Sequence, residues 1–357
     1  MPVQGLVRAR KHQFARQDAF GTKVAAVRAY PYTGVPSVDL QWTDSEVDTG
    51  SIVTTIAPVR GPGEFGASLE DPQVSYNNVP ILMEGIFGGN ENPSGGTIET
   101  WTHVPAAVAP LDAPSNFTYE FGDDVTDDWY QLGDGILTSL TITIPEGLGP
   151  VTASMDWNFG SAASNSSTDS PPSPAVPTAG LSVATNPAIV YGKDIGLYIA
   201  STEAGLDAGQ IMNALHTAEI TITREYDDKR FANASQTFAV SDRSITGYTV
   251  EYALTLAKTD DTVGTGSETD AWFSDDAVDR YIRLEAESTQ NVAGSTPYSW
   301  KIEGPMRYYT REEGESSQNT VIILTGHAWY DPSDFNGFFR SVVVNGLHAS
   351  QLGSAGS

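Results

Sequence analysis

Ile136-Leu-Thr-Ser-Leu-Thr-Ile-Thr-Ile144 is the stretch on which the fold turns. From Ser139 onward it alternates apolar and hydroxyl residues. Ile136, Leu140, Ile142 and Ile144 fall on one face, and Leu137 is the one apolar residue on the other. A period of two with β-branched residues is the mark of a strand buried on one side; an amphipathic helix repeats every 3.6 residues. The same reading extends outward to Val151-Thr-Ala-Ser-Met-Asp-Trp157, Phe117-Thr-Tyr-Glu-Phe121 and Ser51-Ile-Val-Thr-Thr-Ile56. Further on it covers Ala218–Thr223, Tyr248–Leu256, Tyr281–Glu285, Tyr298–Ile302, Thr320–Thr325 and Ser341–Val344. Helix candidates are few: Leu206 to Leu215, and Ser274 to Arg280 with Ser274 or Asp275 as N-cap. The chain is expected to be mainly β.

Composition agrees. Of 357 residues, 39% are hydrophobic and only 18% charged, with 34 Gly and 21 Pro, a profile of strands and turns with enough apolar mass for two or three domains. The absence of cysteine excludes disulfides, thiolate metal sites and cysteine nucleophiles. A net charge of −26 repels nucleic-acid phosphates and anionic membranes, whereas a dedicated nucleic-acid reader carries a basic patch. The first residues lack the basic-then-apolar pattern of a secretion signal, and no apolar run reaches membrane-spanning length. The expectation is a protein made and used without secretion and without a membrane partner.

The organisation reads as a basic N-terminal arm over residues 1–30, a first β domain over 31–160, a Ser/Pro-rich linker or extended arm over 161–187, and a second β domain over 188–357. Arg8, Arg10, Lys11, Arg16, Lys23 and Arg28 oppose a single acid, Asp18, in the first 28 residues. The remainder holds 13 basic and 44 acidic residues, a net of −31. Such an arm is either drawn to the acidic body of a neighbouring copy or a solvated terminus. The two β regions resemble each other. Phe117–Phe121, Trp129–Ile136 and Val151–Trp157 run in the same order as Ile282–Ala286, Tyr298–Met306 and Val321–Trp329.

The order of segments resembles the siphophage tail tube family. The residues that carry the resemblance begin with Gln13–Thr22, Arg28-Ala-Tyr-Pro-Tyr32, Gln41–Asp44 and Asp48–Ile52. They continue with Pro80–Gly88, Thr100–Pro105, Thr118–Asp123 before Tyr130, Leu137–Thr141 and Gly149–Thr152. Near the end Asn319–Ile323, Tyr330-Asp-Pro332 and Val343–Leu347 fit the same pattern. The resemblance implies tandem tail-tube-type β-sandwich or barrel domains whose inner sheets close into a ring-shaped β-barrel on oligomerisation. It implies self-association into hexameric rings, or trimeric, pseudo-hexameric ones when each chain carries two tube domains. It also implies ring stacking, a tape measure protein and a tail terminator as partners, and viral DNA passing through the lumen without specific binding. The location implied is the virion tail, assembled in the host cytoplasm. The chain is longer than one tube domain needs, so the extra length is a second such domain or a surface decoration.

Motifs for other chemistry fall short. Gly61-Pro-Gly-Glu-Phe-Gly66 matches a dinucleotide fingerprint in form, but Pro72 cuts off the helix that must follow. Gly88–Gly96 lacks the Gly-Lys-Ser/Thr ending of a phosphate loop, and no Gly-x-Ser-x-Gly elbow occurs. His12, His103, His216, His327 and His348 are scattered, away from metal-ligand spacing. No catalytic, cofactor-binding or metal-binding residue is expected, and no enzyme activity. The alternatives are a carbohydrate-binding or glycan-hydrolysing β-sandwich of a virion appendage, with Trp129, Trp157, Trp300 and Trp329 as stacking platforms and paired acids for hydrolysis, or another virion protein such as a capsid decoration or tail terminator. Asp123, Asp124, Asp127 and Asp128 are a candidate lumen cluster or a solvated loop, and Asn116, Asn165 and Asn233 match glycosylation acceptors.

Overall fold

The computed structural model describes residues 10–17, 19–46, 55–88, 96–105, 115–123, 128–164, 188–211, 214–229, 242–259, 279–316, 319–347 and 352. Among these, strands dominate. The first half holds β1 (Arg10–Gln17), β2 (Arg28–Tyr30), β3 (Thr33–Glu46), β4 (Thr55–Asp71), helix α1 (Val79–Phe87), β5 (Glu99–His103), β6 (Asn116–Asp123), β7 (Asp128–Ile144), β8 (Thr152–Phe159) and β9 (Ser161–Ser164). The second half holds β10 (Ile195–Ala200), β11 (Gln210–Ile211), β12 (Leu215–Lys229), β13 (Asp242–Ala257), β14 (Asp279–Ala293), β15 (Thr296–Ser316), β16 (Asn319–Ala328) and β17 (Arg340–Asn345).

Every strand pairing is antiparallel. One broad sheet runs β3-β4-β8-β7-β12-β13-β16-β15. Two smaller sheets back it, β2-β1-β6-β7-β9 and β11-β10-β14-β15-β17-β5. The long strands β7 and β15 belong to both layers, turning a corner as sandwich strands do at bends and bulges. In β7 the corner is at Gly133-Asp134-Gly135. Asp134 takes a left-handed φ of 57°, held by bonds from the Gly21 amide to Oδ1 (2.6 Å) and from its own amide to Gln17 Oε1 (2.9 Å). In β15 the corner is Gly304, where a Cβ would lie 2.8 Å from the Phe338 carbonyl oxygen.

The deciding stretch is the middle of the broad sheet. Leu140, Ile142 and Ile144 point into the core beside Ala153 and Met155 of β8 and Ala218, Ile220 and Ile222 of β12. One apolar cluster spans both halves. Helix α1 plugs it, with all nine residues buried. Gly85 lets the helix approach the Trp157 ring, which a Cβ would meet at 2.7 Å. Phe87 packs on Tyr248 and Phe339 of the second half at 5.5 and 4.9 Å.

Three expectations change. Residues 10–17, read as part of a basic arm, are a strand inside the fold. β1 is sandwiched between β2 and β6, with Phe14 and Ala15 buried. The Arg16 charge is matched inside by Glu84 of α1 at 2.5 Å, which also accepts from Ser115 Oγ at 3.2 Å. Burial pushes the Glu84 carboxyl up and Arg16 pulls it back down. The helix candidate at 206–215 is a 3-10 turn over Glu203–Ala208 followed by β11 and the start of β12. The candidate at 274–280 lies outside the described residues except Asp279 and Arg280, which open β14. Of the proposed linker, 161–164 form β9 and 165–187 lie outside the described residues.

Candidate assembly surfaces

The two halves repeat one wiring pattern. In the first, β1 pairs with β2 and β6, β3 with β4, β4 with β8, and β7 with β6, β8 and β9. In the second, β10 pairs with β11 and β14, β12 with β13, β13 with β16, and β15 with β14, β16 and β17. The segments aligned by sequence occupy matching places: β6 with β14, β7 with β15, β8 with β16. Each long strand also carries a bulge against its hairpin partner, at Thr138 in β7 and at Tyr309 in β15.

One pairing joins the halves through the broad sheet: β12 lies against β7, with Ala218–Thr223 opposite Ile144–Ser139. Its core side is aliphatic, Ala218–Ile144, Ile220–Ile142 and Ile222–Leu140, each residue at most 2% exposed. Two buried arginines of the second half lock it. Arg224 donates to the carbonyl of Ile86 at the end of α1, where a cation favours the helix dipole, and lies 5.8 Å over the Tyr248 ring. Burial lowers its pKa to about 10. Arg243 bonds Asp228 Oδ1 at 2.7 Å and reaches back to the Asp134 carbonyl and to Asn158 in the first half.

At the ends of the broad sheet two edges are unpaired among the described residues. On β3, Val35 and Val38 are 52% and 41% exposed. On β15, the side away from β16 has no strand beyond Arg307, where β14 begins, and Tyr309 there is 58% exposed. An open edge bearing apolar side chains is a template for another strand.

The face of the broad sheet turned away from the core is the second surface. It carries Ser37 and Asp39 (β3), Glu64, Ser68 and Glu70 (β4), Ser154 and Asp156 (β8), Ser139, Thr141 and Thr143 (β7), Glu219, Thr221, Thr223 and Glu225 (β12), and Thr249, Glu251 and Thr255 (β13). From β3 to β13 carboxylates outnumber cations on it among the described residues; Lys229, near the end of β12, falls on the same face and donates to Ser244 Oγ. Hydroxyls are bonded across strands, as in Thr141–Thr221 at 3.2 Å and Ser68 to Asp156 at 2.6 Å. The hollow over Thr33, Ser68, Glu70, Ser139, Thr141, Ser154 and Asp156, about 340 Å³, is part of this face.

Residues singled out for other chemistry scatter. Gly61–Gly66 lies inside β4, and no helix follows until Val79. Trp157 and Trp300 are core residues, 3% exposed, with Trp300 Nε1 donating to Ser341 Oγ. Asn116 is buried at the start of β6. His12 bonds the Tyr119 hydroxyl at 2.8 Å, His103 is buried, His216 sits 3.3 Å from Glu146 and His327 3.8 Å from Glu251. No group of three His, Asp or Glu is placed to hold a metal among the described residues. Asp124 and Asp127, His348, Asn165 and Asn233 lie outside them, as do the side chains of Asp123, Asp128 and Trp129. No described helix is long and apolar enough to cross a membrane.

No protein-family model matches the chain, and no curated protein matches it. Among solved structures it is similar to the SPP1 tail tube, determined by solid-state NMR and cryo-EM, with 12% identity over 45% of this chain and 81% of that one and a TM-score of 0.27.

Proposed function

We propose that this chain is a structural virion protein that self-assembles into stacked rings to form the tail tube, the conduit for viral DNA, and that it catalyses no reaction. The observation that carries the reading is the free face of the broad sheet, built from β3 to β13 mainly of hydroxyls and carboxylates. A basic wall would hold DNA through counterion release regardless of sequence. An acidic, hydroxylated wall lets phosphates pass. The opposite face is committed to the core, so the face left over is the one to line a lumen.

The recurrent wiring supports a duplication, with each half acting as one tube-type unit and three chains supplying six. Eight strands of the broad sheet per chain give 24 in a ring of three. At about 4.8 Å between strands and a tilt of about 40°, such a barrel closes at a backbone diameter of roughly 48 Å, wide enough for a duplex. Six chains would double that. The family's tape measure protein and tail terminator are the expected further partners, and the virion tail, assembled in the host cytoplasm, the expected location.

Electron microscopy and native mass spectrometry of purified protein test this. Hollow rings or tubes, with a ring mass three times 38.1 kDa, are expected. A protein that stays monomeric at high concentration and binds glycan overturns the reading.

A further inference from the structure

The internal seam between the halves is a template for the seam between copies. This inference rests on the ring-assembly reading and names the strands and register that make the ring. Pairings fix which residues correspond. One row across the first half is Gly34–Leu69–Met155–Leu140. The matching row across the second is Ala218–Leu254–Leu324–Arg311. The bulges at Thr138 and Tyr309 fall at the same step from these rows, which fixes the alignment independently. Thus β3 stands where β12 stands, and the second part of β15 where the second part of β7 stands. In the first half–second half seam, the outer edge of β7 is filled by β12. The outer edge of β15 and the outer edge of β3 are the two vacancies that the same relation leaves.

We infer that β3 of one copy adds antiparallel to the outer edge of β15 of a second copy, with Gly34–Asp39 opposite Glu315–Thr310. The register is the internal one, Ala218–Thr223 opposite Ile144–Ser139, carried over residue by residue.

The side chains suit it. On the lumen side, Ser37 comes opposite Glu312, Val35 opposite Gly314 and Asp39 opposite Thr310, so no two like charges are directly paired, an arrangement that would cost stability. On the core side, Val38 comes opposite Arg311, whose aliphatic stem can cover it. Glu313, opposite Pro36, already carries Arg311 at 2.9 Å and Lys258 at 3.1 Å, which hold its carboxyl below the usual range. Pro36 is the one counter-indication: it has no N–H, so it removes at most one ladder bond. The closed seam also covers Val38, one of the exposed large apolar residues. It joins the hydroxyl face of one copy to that of the next.

The chain has no cysteine, so crosslinking is free of background. Directly opposed antiparallel residues have Cα atoms about 4.5–5.5 Å apart, within the roughly 4.4–6.8 Å that a disulfide spans. Diagonal neighbours are about 7–8 Å apart. Ser37→Cys/Glu312→Cys and Asp39→Cys/Thr310→Cys are in register; Ser37→Cys/Thr310→Cys reuses two of the same exposed positions out of register. Assembled under mild oxidant, each in-register variant is expected to give a ladder ending at the closed ring, with at least about tenfold more crosslink than the out-of-register control. Rings seen by microscopy and native mass that crosslink equally in the control, or not at all in either in-register pair, overturn this seam while leaving ring assembly standing. Wild-type protein that forms no ring overturns both.

Discussion

The seam that joins the two halves and the pair of edges that end the broad sheet occupy the same place in the repeated wiring, yet their chemistry is opposite. The internal seam presents Leu140, Ile142 and Ile144 to Ala218, Ile220 and Ile222. At the edges those places are taken by Arg311, Glu313 and Glu315 on β15 and by Gly34, Pro36 and Val38 on β3. The core side of the internal seam is buried once, during folding, so it can be aliphatic. An edge that waits for a partner must stay soluble alone; charges and proline are the devices that keep such an edge from pairing indiscriminately. The difference between the two regions is therefore one between folding and assembly.

The largest effect to expect comes from placing one charge at both counterpart positions. Ile222→Lys buries an unpaired ammonium in the internal seam and is expected to unfold the subunit, at a cost above about 4 kcal/mol. Val38→Lys, on the exposed edge, is expected to change subunit stability by no more than about 0.5 kcal/mol while abolishing rings. Denaturant unfolding and sedimentation of the two variants decide it. A Val38→Lys protein that still assembles, or an Ile222→Lys protein of normal stability, breaks the comparison. Next in size is Ile142→Ala, which leaves a cavity between β7 and β12 and is expected to cost about 2–5 kcal/mol. Arg243→Ala follows. It removes the ties to Asp228, Asn158 and the Asp134 carbonyl and leaves that bend without its donor, an expected loss of about 2–4 kcal/mol. The same change at the surface arginine Arg307, bonded to Asp279 at 2.5 and 2.6 Å, is expected to cost less than about 1 kcal/mol.

Much of the fold was legible because its signal is local. Every strand read from period two lies wholly or partly in an observed strand, apart from residues 51–54, which lie outside the described set. The alternation in Thr141-Ile142-Thr143-Ile144 is itself the division between core and free face. Helix α1 escaped detection for a physical reason. Val79-Pro-Ile-Leu-Met-Glu-Gly-Ile-Phe87 is buried on all sides, so no polar stripe marks a 3.6-residue period. Residues 10–17 are neither of the two things expected, an arm drawn to a neighbouring copy or a solvated terminus, because the partner of Arg16 is a glutamate 68 positions away. The free face could be read strand by strand but not assembled. Nothing in the sequence says that β12 of one half lies beside β7 of the other, and the two open edges follow only from that pairing.

Stability also drifts with acid, and this too separates regions. The two buried histidines with lowered pKa values both belong to the first half. Burial, with Arg10 adding to it, brings His12 to about 4; burial alone brings His103 to about 3. In the unfolded chain each takes up its proton near pH 6.5. Between that value and the folded pKa the unfolded state binds more protons, so stability falls as the pH is lowered through this window, by about 1.4 kcal/mol per pH unit for each imidazole. Asp71, Glu84 and Glu120 act in the opposite sense. Burial raises all three, so the folded state binds their protons first and gains as pH drops towards the ordinary carboxylate range. The net slope is a difference of the two groups, and a single variant isolates one of them. His103→Phe keeps the stacking surface beside Trp101 and removes one titrating ring. Its stability relative to the parent should rise steadily from pH 6.5 to pH 4, whatever its offset at neutral pH. A flat difference across that range would show that His103 is not held neutral by burial.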